Sequence, residues 1–245
     1  MLELEELICG FGAKAITAKI TQSVRPGEII FVIGSNGAGK TTLLKTLAGL
    51  QPPVSGSVLV NGSEPAVLGN PAERPLYLPA QLNISDTLTG LDIEEIYSPK
   101  TDRWATPRWS PPRNRPFSTY SSGEQRQVIL RATLMHASTL LLLDEPFNFL
   151  DWSHSLELLG TLASHARGGR TFIVATHHLD WVLRVPQSKT WALIDTSENI
   201  TGRFLAGDSK DVLTSAAFQK AFGVRIQILK SPLDNGHLLA VSTDT

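Results

Sequence analysis

Apolar residues occur along the chain in short, separate runs, and their spacing predicts an alternation of strands and helices. Near the N-terminus, apolar runs around residues 16–20 and 29–33 flank the turn sequence Arg-Pro-Gly-Glu, which predicts two strands joined by a turn. The second run is β-branched and continuous, as in a strand that is buried on both faces. Residues 41–50 then predict a helix that ends at Gly49, and residues 56–62 predict another short strand.

From residue 120 onward, helices alternate with apolar strands. Helices are predicted over residues 121–137 and 153–169, and strands over residues 139–146, 170–177 and 191–195. Because helices that alternate with buried strands form crossover connections, this part of the chain favours an α/β fold with a parallel sheet.

The C-terminal part predicts one more helix and a β-hairpin. Residues 209–222 have a helical pattern, with Asp208 or Ser209 as the N-cap and Gly223 beyond the C-terminal end. Two apolar runs then flank the turn sequence Lys-Ser-Pro-Leu-Asp-Asn-Gly, which is typical of a hairpin.

Residues 98–116, the proline-rich segment, differ from the rest of the chain. They contain five prolines and five basic residues against one acidic residue, so we expect no regular element to run through them. Two interpretations are open from the sequence: a solvated loop, or a docking or basic contact surface.

Composition narrows the class of protein. The chain has 245 residues, of which 42% are hydrophobic and 18% are charged, and its net charge of -1 gives no reason to expect a nucleic-acid partner. The single cysteine, Cys9, excludes an internal disulfide, suits a reducing compartment and is interpreted as a small buried apolar residue. We find no signal peptide and no apolar run near the roughly 18 residues of a transmembrane helix. We therefore expect a cytoplasmic protein whose membrane association depends on a partner.

A glycine-rich loop, the P-loop, lies between a predicted strand and a predicted helix. The motif G-x-x-x-x-G-K-[ST] begins at Gly34 and ends with Lys40 and Thr41. Backbone N–H groups and the positive end of the following helix form an anion site in such a loop, and glycines allow close approach to phosphates. We expect Lys40 to reach the outer phosphates of a nucleotide and the Thr41 hydroxyl to bind Mg²⁺. The candidate nucleotide-binding residues are Gly34, Ser35, Asn36, Gly37, Ala38, Gly39, Lys40, Thr41 and Thr42.

Two acidic residues follow the apolar strand Leu-Leu-Leu-Leu. Beside a P-loop, Asp144 is expected to hold Mg²⁺, usually through water, and Glu145 is a candidate to polarise the attacking water. Between the P-loop and this strand, the sequence Tyr-Ser-Ser-Gly-Glu-Gln at residues 120–125 opens a helix. It is either an ordinary N-capped helix or a second phosphate-binding helix start, which would then face a nucleotide held by another subunit.

Together, these motifs and several others resemble the ATP-binding subunit of ABC transporters. GSNGAGKT resembles the Walker A loop, LLLLDEP resembles Walker B and YSSGEQ resembles the LSGGQ signature. Gln81 in LPAQLN is similar to the Q-loop glutamine, Asp151 in FNFLD to the D-loop aspartate and His177 in VATHH to the switch histidine. The motifs occur in the family's order over about residues 1–205. Phe11 stands where the family places an aromatic that stacks on adenine, although an aromatic in a strand is as often a core residue.

The resemblance implies an α/β fold of the ABC type of P-loop NTPase. Such a fold has a RecA-like mixed sheet, an N-terminal antiparallel β subdomain and, in this chain, a shortened helical subdomain. It implies a single ABC ATPase domain over residues 1–245. Within this domain, residues 1–80 and 128–205 would form the nucleotide-binding core, residues 81–127 the helical subdomain and residues 206–245 the C-terminal helix and hairpin.

The resemblance also implies a mechanism, in which two copies of the chain sandwich two ATP molecules. Each site would combine the Walker motifs of one copy with the signature of the other, and Mg²⁺ would accompany ATP. The implied catalytic residues are Glu145 as general base, His177 at the γ-phosphate and Gln81. The implied metal ligands are Thr41, Gln81 and Asp144. Further implied ATP contacts are Phe11, Ser121, Gly123 and Asp151. Gln81 would also couple the site to integral membrane permease subunits, on the inner face of the plasma membrane.

Several positions depart from the family pattern. Ser122 replaces the first signature glycine and is compatible with a phosphate-facing turn unless that position needs a positive φ. Tyr120 replaces the usual leucine, and His178 replaces the usual acid after the switch histidine. Only 39 residues separate Gln81 from Ser121, which is short for the helical subdomain that meets the membrane partner. Residues 86–97 leave room for one or two short helices there.

The sequence is compatible with three functions. The C-terminal sequence at residues 217–241 resembles that of importer ATPases for iron chelates, haem and cobalamin, which favours an ATPase that powers import through a permease. A non-transport ATPase of the same fold is an alternative, as in cofactor assembly, DNA repair or translation. A regulatory nucleotide-binding module with a degenerate signature is a third, and Ser122 is the residue that supports it.

Overall fold

A computed structural model gives the fold of residues 1–82, 84–97, 104, 107–109, 111, 113–194, 203–230 and 238–243. Over these residues the helices are α1 (Lys40–Leu47), α2 (Gly90–Tyr97), α3 (Ser122–Met135), α4 (Trp152–Arg167), α5 (Leu179–Leu183), α6 (Ser209–Thr214) and α7 (Ala216–Phe222). Short 3₁₀ helices lie at Pro65–Val67 and Phe117–Thr119. The strands are β1 (Leu2–Ile8), β2 (Gly10–Phe11), β3 (Lys14–Ala15), β4 (Ile20–Val24), β5 (Ile29–Gly34), β6 (Ser55–Val60), β7 (Leu76–Leu78), β8 (Leu140–Asp144), β9 (Thr171–Ala175), β10 (Lys189–Ile194), β11 (Arg203–Asp208), β12 (Arg225–Lys230) and β13 (Leu238–Thr243).

The central sheet is mixed and, within the part of the chain described above, has the strand order β11-β10-β5-β9-β8-β7. Strands β10, β5, β9, β8 and β7 pair in parallel, and β11 pairs antiparallel to β10 at one edge. Parallel neighbours carry their carboxyl ends to the same edge of a sheet. The P-loop after β5, the acids at the end of β8 and the histidines after β9 therefore meet at one edge.

The N-terminal strands form a second, antiparallel sheet in the order β4-β1-β6. Helix α1 packs between this sheet and the central sheet, and its Leu43, Leu44 and Leu47 are completely buried. Burial of each such side chain stabilises the fold by about 1.5–3 kcal/mol. The strand predicted around residues 16–20 instead begins at Ile20, and β1 was not predicted at all, although Leu2 and Leu4 alternate with glutamates there.

The two faces of the central sheet face different cores, as predicted for β5. Ile29, Phe31 and Ile33 pack with α3, α4 and the C-terminal helices. Ile30 and Val32 pack with α1 and the N-terminal sheet. The completely apolar sequence of β5 follows from this double burial.

The C-terminal segment forms two helices, so the prediction of a single helix over residues 209–222 was wrong. The backbone of Ser215 is extended (φ -66°, ψ 142°), and its hydroxyl accepts a hydrogen bond from the Phe218 N–H, which caps α7. Asp208 takes the N-cap position of α6 without a side-chain cap, and Gly223 ends α7 with a φ of 64°. The predicted hairpin is confirmed as β12 and β13, while the turn predicted between them lies outside the described residues.

The solvated-loop interpretation of the proline-rich segment is wrong for its two tryptophans. Trp104 is 6% exposed and Trp109 is 4% exposed. Arg131 of α3 donates to the carbonyls of Pro107 and Trp109 and to the buried carboxylate of Glu94 in α2. The described part of this segment contains no helix or β-strand, as predicted, yet it covers the core, since indole rings contribute large apolar surfaces.

The structure also bears on the predictions for Cys9, for the region after Gln81 and for membrane-spanning helices. Cys9 is completely buried, as expected of a small apolar residue. Residues 86–97, all of which the structure describes, contain the helix α2, in agreement with the one or two helices predicted there. In the described ranges, none of the helices has the length and apolar character needed to cross a membrane. The predicted division at residues 80, 127 and 205 stays a prediction.

Candidate active site

The P-loop connects β5 to α1 and depends on glycines at two positions. Gly37 and Gly39 have φ values of 85° and 95°, which L-residues rarely adopt. A Cβ atom on Gly39 would also lie 2.8 Å from Cγ2 of Ile16, so the loop packs tightly on the β3–β4 connection. The chain thus forms the compact turn that the sequence motif predicts.

The N-terminus of α1 suits an anion. Its N-cap is Gly39, which has no side chain to cap the first-turn N–H groups. Lys40 follows, and its ammonium donates to the carbonyls of Gly34 at 2.7 Å and Ser35 at 3.2 Å. Burial lowers the pKa of Lys40, while the carboxylates of Glu145 and Asp144 oppose that shift. The loop therefore presents N–H groups and one buried cation, which is the chemistry that binds phosphate.

Hard oxygen ligands lie beside the P-loop. The Thr41 hydroxyl donates to Oδ2 of Asp144 at 2.6 Å, and the hydroxyl of Tyr77 in β7 donates to the same oxygen at 3.2 Å. Burial, together with the Asp144 carboxylate, raises the pKa of Tyr77. A hydroxyl and a carboxylate fit Mg²⁺, which usually takes few protein ligands and completes its shell with phosphates and water. Among the described residues, no cluster of three or more His, Cys, Asp or Glu side chains suited to a metal occurs.

Glu145 and His177 are in contact, although they are 32 positions apart in the sequence. Nδ1 of His177 lies 2.9 Å from Oε2 of Glu145. Glu145 has a φ of 46°, and its N–H donates to the carbonyl of Ala175 at 2.9 Å, which attaches it to the end of β9. His178 lies beside His177, with ring centroids 3.9 Å apart. Burial is the main cause that lowers the pKa of His178, and the neighbouring charge of His177 lowers it further. Two of the three predicted catalytic side chains thus lie in contact at the edge that carries the P-loop.

The predicted signature forms a capped start of α3. The Ser121 hydroxyl accepts from the Glu124 N–H, and the Glu124 carboxylate accepts from the Ser121 N–H at 2.8 Å, which is a capping box. Ser122 is the first helical residue and has no positive φ, so its position tolerates serine. A Cβ atom on Gly123 would lie 3.1 Å from the carbonyl oxygen of Phe149, so the glycine allows the D-loop to approach.

The other predicted site residues lie further out. Phe11 is 62% exposed on the β2–β3 hairpin, whose Lys14 and Ala15 line a cavity of about 320 Å³ beside the P-loop. Asp151 is the exposed N-cap of α4. Gln81 is exposed and lines a different cleft, of about 240 Å³, between the segment after β7 and α3. The structure thus brings Thr41, Asp144, Glu145 and His177 together, and it does not bring Gln81 into contact with Thr41 or Asp144.

Sequence reasoning missed two residues at this edge, Tyr77 and Arg126. Arg126 is 4% exposed and its guanidinium contacts the backbone of the Walker B segment. Its position three and four residues before the buried Ile129 and Leu130 places it on the apolar face of α3, and a charge on such a face is a usable signal. Tyr77 is preceded and followed by leucines in an apolar strand, so nothing local marks its hydroxyl.

The fold and site define an α/β P-loop protein that binds a nucleoside triphosphate. A family model described as "ABC transporter" matches residues 17–148, and the chain belongs to this family. It is therefore an ATP-binding and ATP-hydrolysing subunit of the ABC transporter class, and the predicted fold is confirmed.

Two proteins and one solved structure are similar to most of this chain. The chain is 32% identical over 196 residues to the cytochrome c biogenesis ATP-binding export protein CcmA of Escherichia coli K12, which spans 77% of this chain and 93% of that protein. It is 27% identical to "Probable siderophore transport system ATP-binding protein YusV" of Bacillus subtilis, over 95% of this chain and 89% of that protein. A solved chain of a metal-chelate type ABC transporter, in an inward-facing conformation, superposes with a TM-score of 0.74 at 21% identity, covering 99% of this chain and 97% of that chain.

Proposed function

We propose that this chain powers an importer of the iron-chelate, haem or cobalamin type. The similarity to YusV extends over 95% of the chain, whereas the similarity to CcmA extends over 77%. The wider coverage, added to the C-terminal resemblance noted from sequence, supports the importer class. The fold comparison with the metal-chelate type transporter likewise extends over 99% of the chain.

The observation that carries the catalytic part of the proposal is the pair of contacts at the carboxyl edge of the sheet. Thr41 meets Asp144, and Glu145 meets His177, beside one P-loop. Lys40 and the N–H groups of α1 would bind the phosphates of ATP. Thr41 and Asp144 would hold Mg²⁺, which supplies charge neutralisation at the phosphates when bound.

Glu145 accepts a proton from the attacking water in this proposal. Its carboxylate is the acid at this edge whose oxygen contacts the switch histidine, at 2.9 Å. The positive φ of Glu145 and its N–H contact to Ala175 fix the direction of the side chain. His177 orients that carboxylate and contacts the γ-phosphate. A general base in such a position typically contributes a rate factor of about 10²–10⁴.

A second copy of the chain completes each site. Ser121 and Ser122 are exposed at the start of α3. The Ser121 hydroxyl accepts a hydrogen bond within its own capping box, so its hydrogen can be donated to a phosphate oxygen held by the other copy. Gly123 and Asp151 would adjoin the same nucleotide, and Phe11 would stack on its adenine. Permease subunits at the inner face of the plasma membrane would receive the movement through Gln81 and α2.

Two experiments test the proposal. The Glu145→Gln variant is expected to bind ATP and accumulate as a dimer in size-exclusion chromatography with ATP, because hydrolysis no longer separates the copies. A variant that stays monomeric and hydrolyses ATP normally would contradict the assignment. For the cargo, cells that lack this chain are complemented with wild type or Glu145→Gln, and uptake of labelled ferric chelate, haem and cobalamin is measured. Uptake of all three that does not depend on the chain would rule out this importer class.

A second candidate function is supported by the higher identity to CcmA, 32% against 27% for YusV. In that case the chain would serve in export or in cofactor assembly and not in import. Co-purification of the whole complex distinguishes import from export, since an importer operates with an extracytoplasmic binding protein besides its permease and an exporter does not.

A further inference from the structure

The signature helix α3 contains a buried arginine with an unusual set of partners. The guanidinium of Arg126 is directed at the backbone of two other segments. Nε donates to the carbonyl of Pro146 at 3.2 Å, and Nη2 donates to the carbonyls of Asp144 at 3.2 Å and Glu145 at 2.8 Å. Three consecutive carbonyl groups at the end of the Walker B strand therefore converge on one cation.

The same guanidinium holds the segment that leads to Gln81. Nη1 of Arg126 donates to the carbonyls of Pro79 at 3.3 Å and Ala80 at 3.5 Å. A guanidinium has five N–H groups, and here each of the five has one carbonyl acceptor. The match in number explains how the side chain stays charged although burial lowers the pKa of Arg126 to about 10, a shift that the carboxylates of Asp144 and Glu145 oppose.

The convergence of the three carbonyls depends on the backbone of Glu145. Its φ of 46° lies in the left-handed region, which is unfavourable for a residue with a side chain. Such a conformation persists only where surrounding contacts hold it. Its carbonyl accepts from the Arg126 guanidinium and from the Asn148 N–H, its N–H donates to the carbonyl of Ala175, and its carboxylate contacts His177.

We infer that Arg126 is a positioning residue for Glu145 in ATP hydrolysis. Its guanidinium fixes the strained turn at the end of β8 and thereby aims the Glu145 carboxylate. The inference rests on the proposed role of Glu145 as general base. Because the same side chain holds the backbone before Gln81, α3, the Gln81 segment and Glu145 change position together.

The test uses the full-length protein and the variants Arg126→Met, Arg126→Lys, Glu145→Gln and Arg126→Met/Glu145→Gln. Rates and KM are measured with Mg-ATP, and ATP affinity is measured separately by calorimetry. We expect Arg126→Met to lower kcat about 10- to 100-fold, because a misaimed base loses most of its contribution, while ATP affinity stays within about threefold. The Arg126→Lys variant is expected to keep an intermediate kcat, since an ammonium has three donors for five carbonyls.

The double variant separates positioning from a merely structural role. If Arg126 acts through Glu145, the double variant is expected to have almost the same residual kcat as Glu145→Gln. If the two residues act independently, the fold-losses in kcat of the two single variants multiply in the double variant. A matched control is Arg131→Met, which removes another arginine from α3 without touching the Walker B backbone. It is expected to lower the free energy of unfolding, because the buried carboxylate of Glu94 loses a partner, and to keep the wild-type basal kcat below its unfolding midpoint.

The outcomes distinguish this inference from the proposed function. If Glu145→Gln leaves hydrolysis intact, the general-base role fails and the inference fails with it. If Glu145→Gln lowers hydrolysis strongly but the two losses multiply in the double variant, only the role of Arg126 is overturned. A fall in ATP affinity as large as the fall in kcat, or a wild-type kcat in Arg126→Lys, would also overturn it.

Discussion

The buried carboxylate of Glu94 is expected to hold the shortened helical region on the core. Glu94 lies in α2 and is 7% exposed. One carboxylate oxygen is 2.9 Å from Nε of Arg131 in α3, and the other is 3.1 Å from Nη1 of Arg113 in the proline-rich segment. Substitution of Glu94 by alanine would leave the guanidinium of Arg131, on a side chain that is 14% exposed, without its carboxylate.

The expected loss of stability follows from the two contacts separately. Removal of one member of a buried ion pair costs about 3–5 kcal/mol, because the remaining charge loses its partner without regaining water. The Arg113 side chain is 44% exposed, and a contact of this kind contributes less than about 1 kcal/mol. Arg131 also keeps the carbonyls of Pro107 and Trp109, so we expect a loss near the lower limit, about 3 kcal/mol, for Glu94→Ala. Glu94→Gln keeps an acceptor oxygen and is expected to lose about 1–2 kcal/mol.

Urea unfolding followed by tryptophan fluorescence measures the free energy of unfolding of each variant, and the buried Trp104 and Trp109 report on this region. The control is Glu6→Ala, which removes a contact of 3.0 Å with Lys19 on side chains that are 66% and 55% exposed, and the expected loss is below about 1 kcal/mol. Equal losses for Glu94→Ala and Glu6→Ala would refute the argument that burial gives the Glu94 contact its strength.

The remaining predictions concern the nucleotide site and the cysteine. Lys40→Ala is expected to weaken ATP binding about 10- to 100-fold in calorimetry, since it removes a charged donor to phosphate, and unchanged affinity would contradict that role. Tyr77→Phe removes one hydrogen bond to Asp144 and should raise the Mg²⁺ concentration for half-maximal hydrolysis about fivefold, with no change at saturating Mg²⁺. Phe11→Ala, at an exposed position, should weaken ATP binding about fivefold without lowering the unfolding midpoint. Burial raises the pKa of Cys9, so thiol reagents should label it only after denaturation; rapid labelling of the folded chain would disagree.

Local sequence signals predicted much of this fold because they depend only on neighbouring residues. The apolar run of β5, the glycines of the P-loop and the acids after β8 each belong to one continuous segment. The signal at Ser215 is also local, but a serine within a helical pattern can either continue the helix or cap a new one, so one helix was predicted there. The contacts of Thr41 with Asp144 and of His177 with Glu145 join residues that are 103 and 32 positions apart, and motif order alone grouped these residues.

Tertiary contacts explain the residues that the sequence did not reveal. The proline-rich segment has a polar composition, and nothing local shows that Trp104 and Trp109 enter the core. Arg126 has the charge of a surface residue, and its partners are carbonyl groups, which are identical for every residue type. A sequence shows which side chains can donate hydrogen bonds, but only the fold shows which backbone acceptors converge on one of them.

Helix α3 links the two parts of the molecule that an ABC ATPase must coordinate. Arg126 extends from one side of the helix to the Walker B backbone, and Arg131, five residues later, extends to Glu94 of α2 and to the carbonyls of Pro107 and Trp109. In the proposed function, α2 lies toward the permease and Glu145 toward ATP. Both arginines belong to one helix. A displacement of α2 is therefore expected to move Arg126 together with the backbone carbonyls of Asp144 and Glu145 to which it donates. This chain has a shorter helical region than its family pattern, and the two arginines give it a direct connection from that region to the catalytic edge.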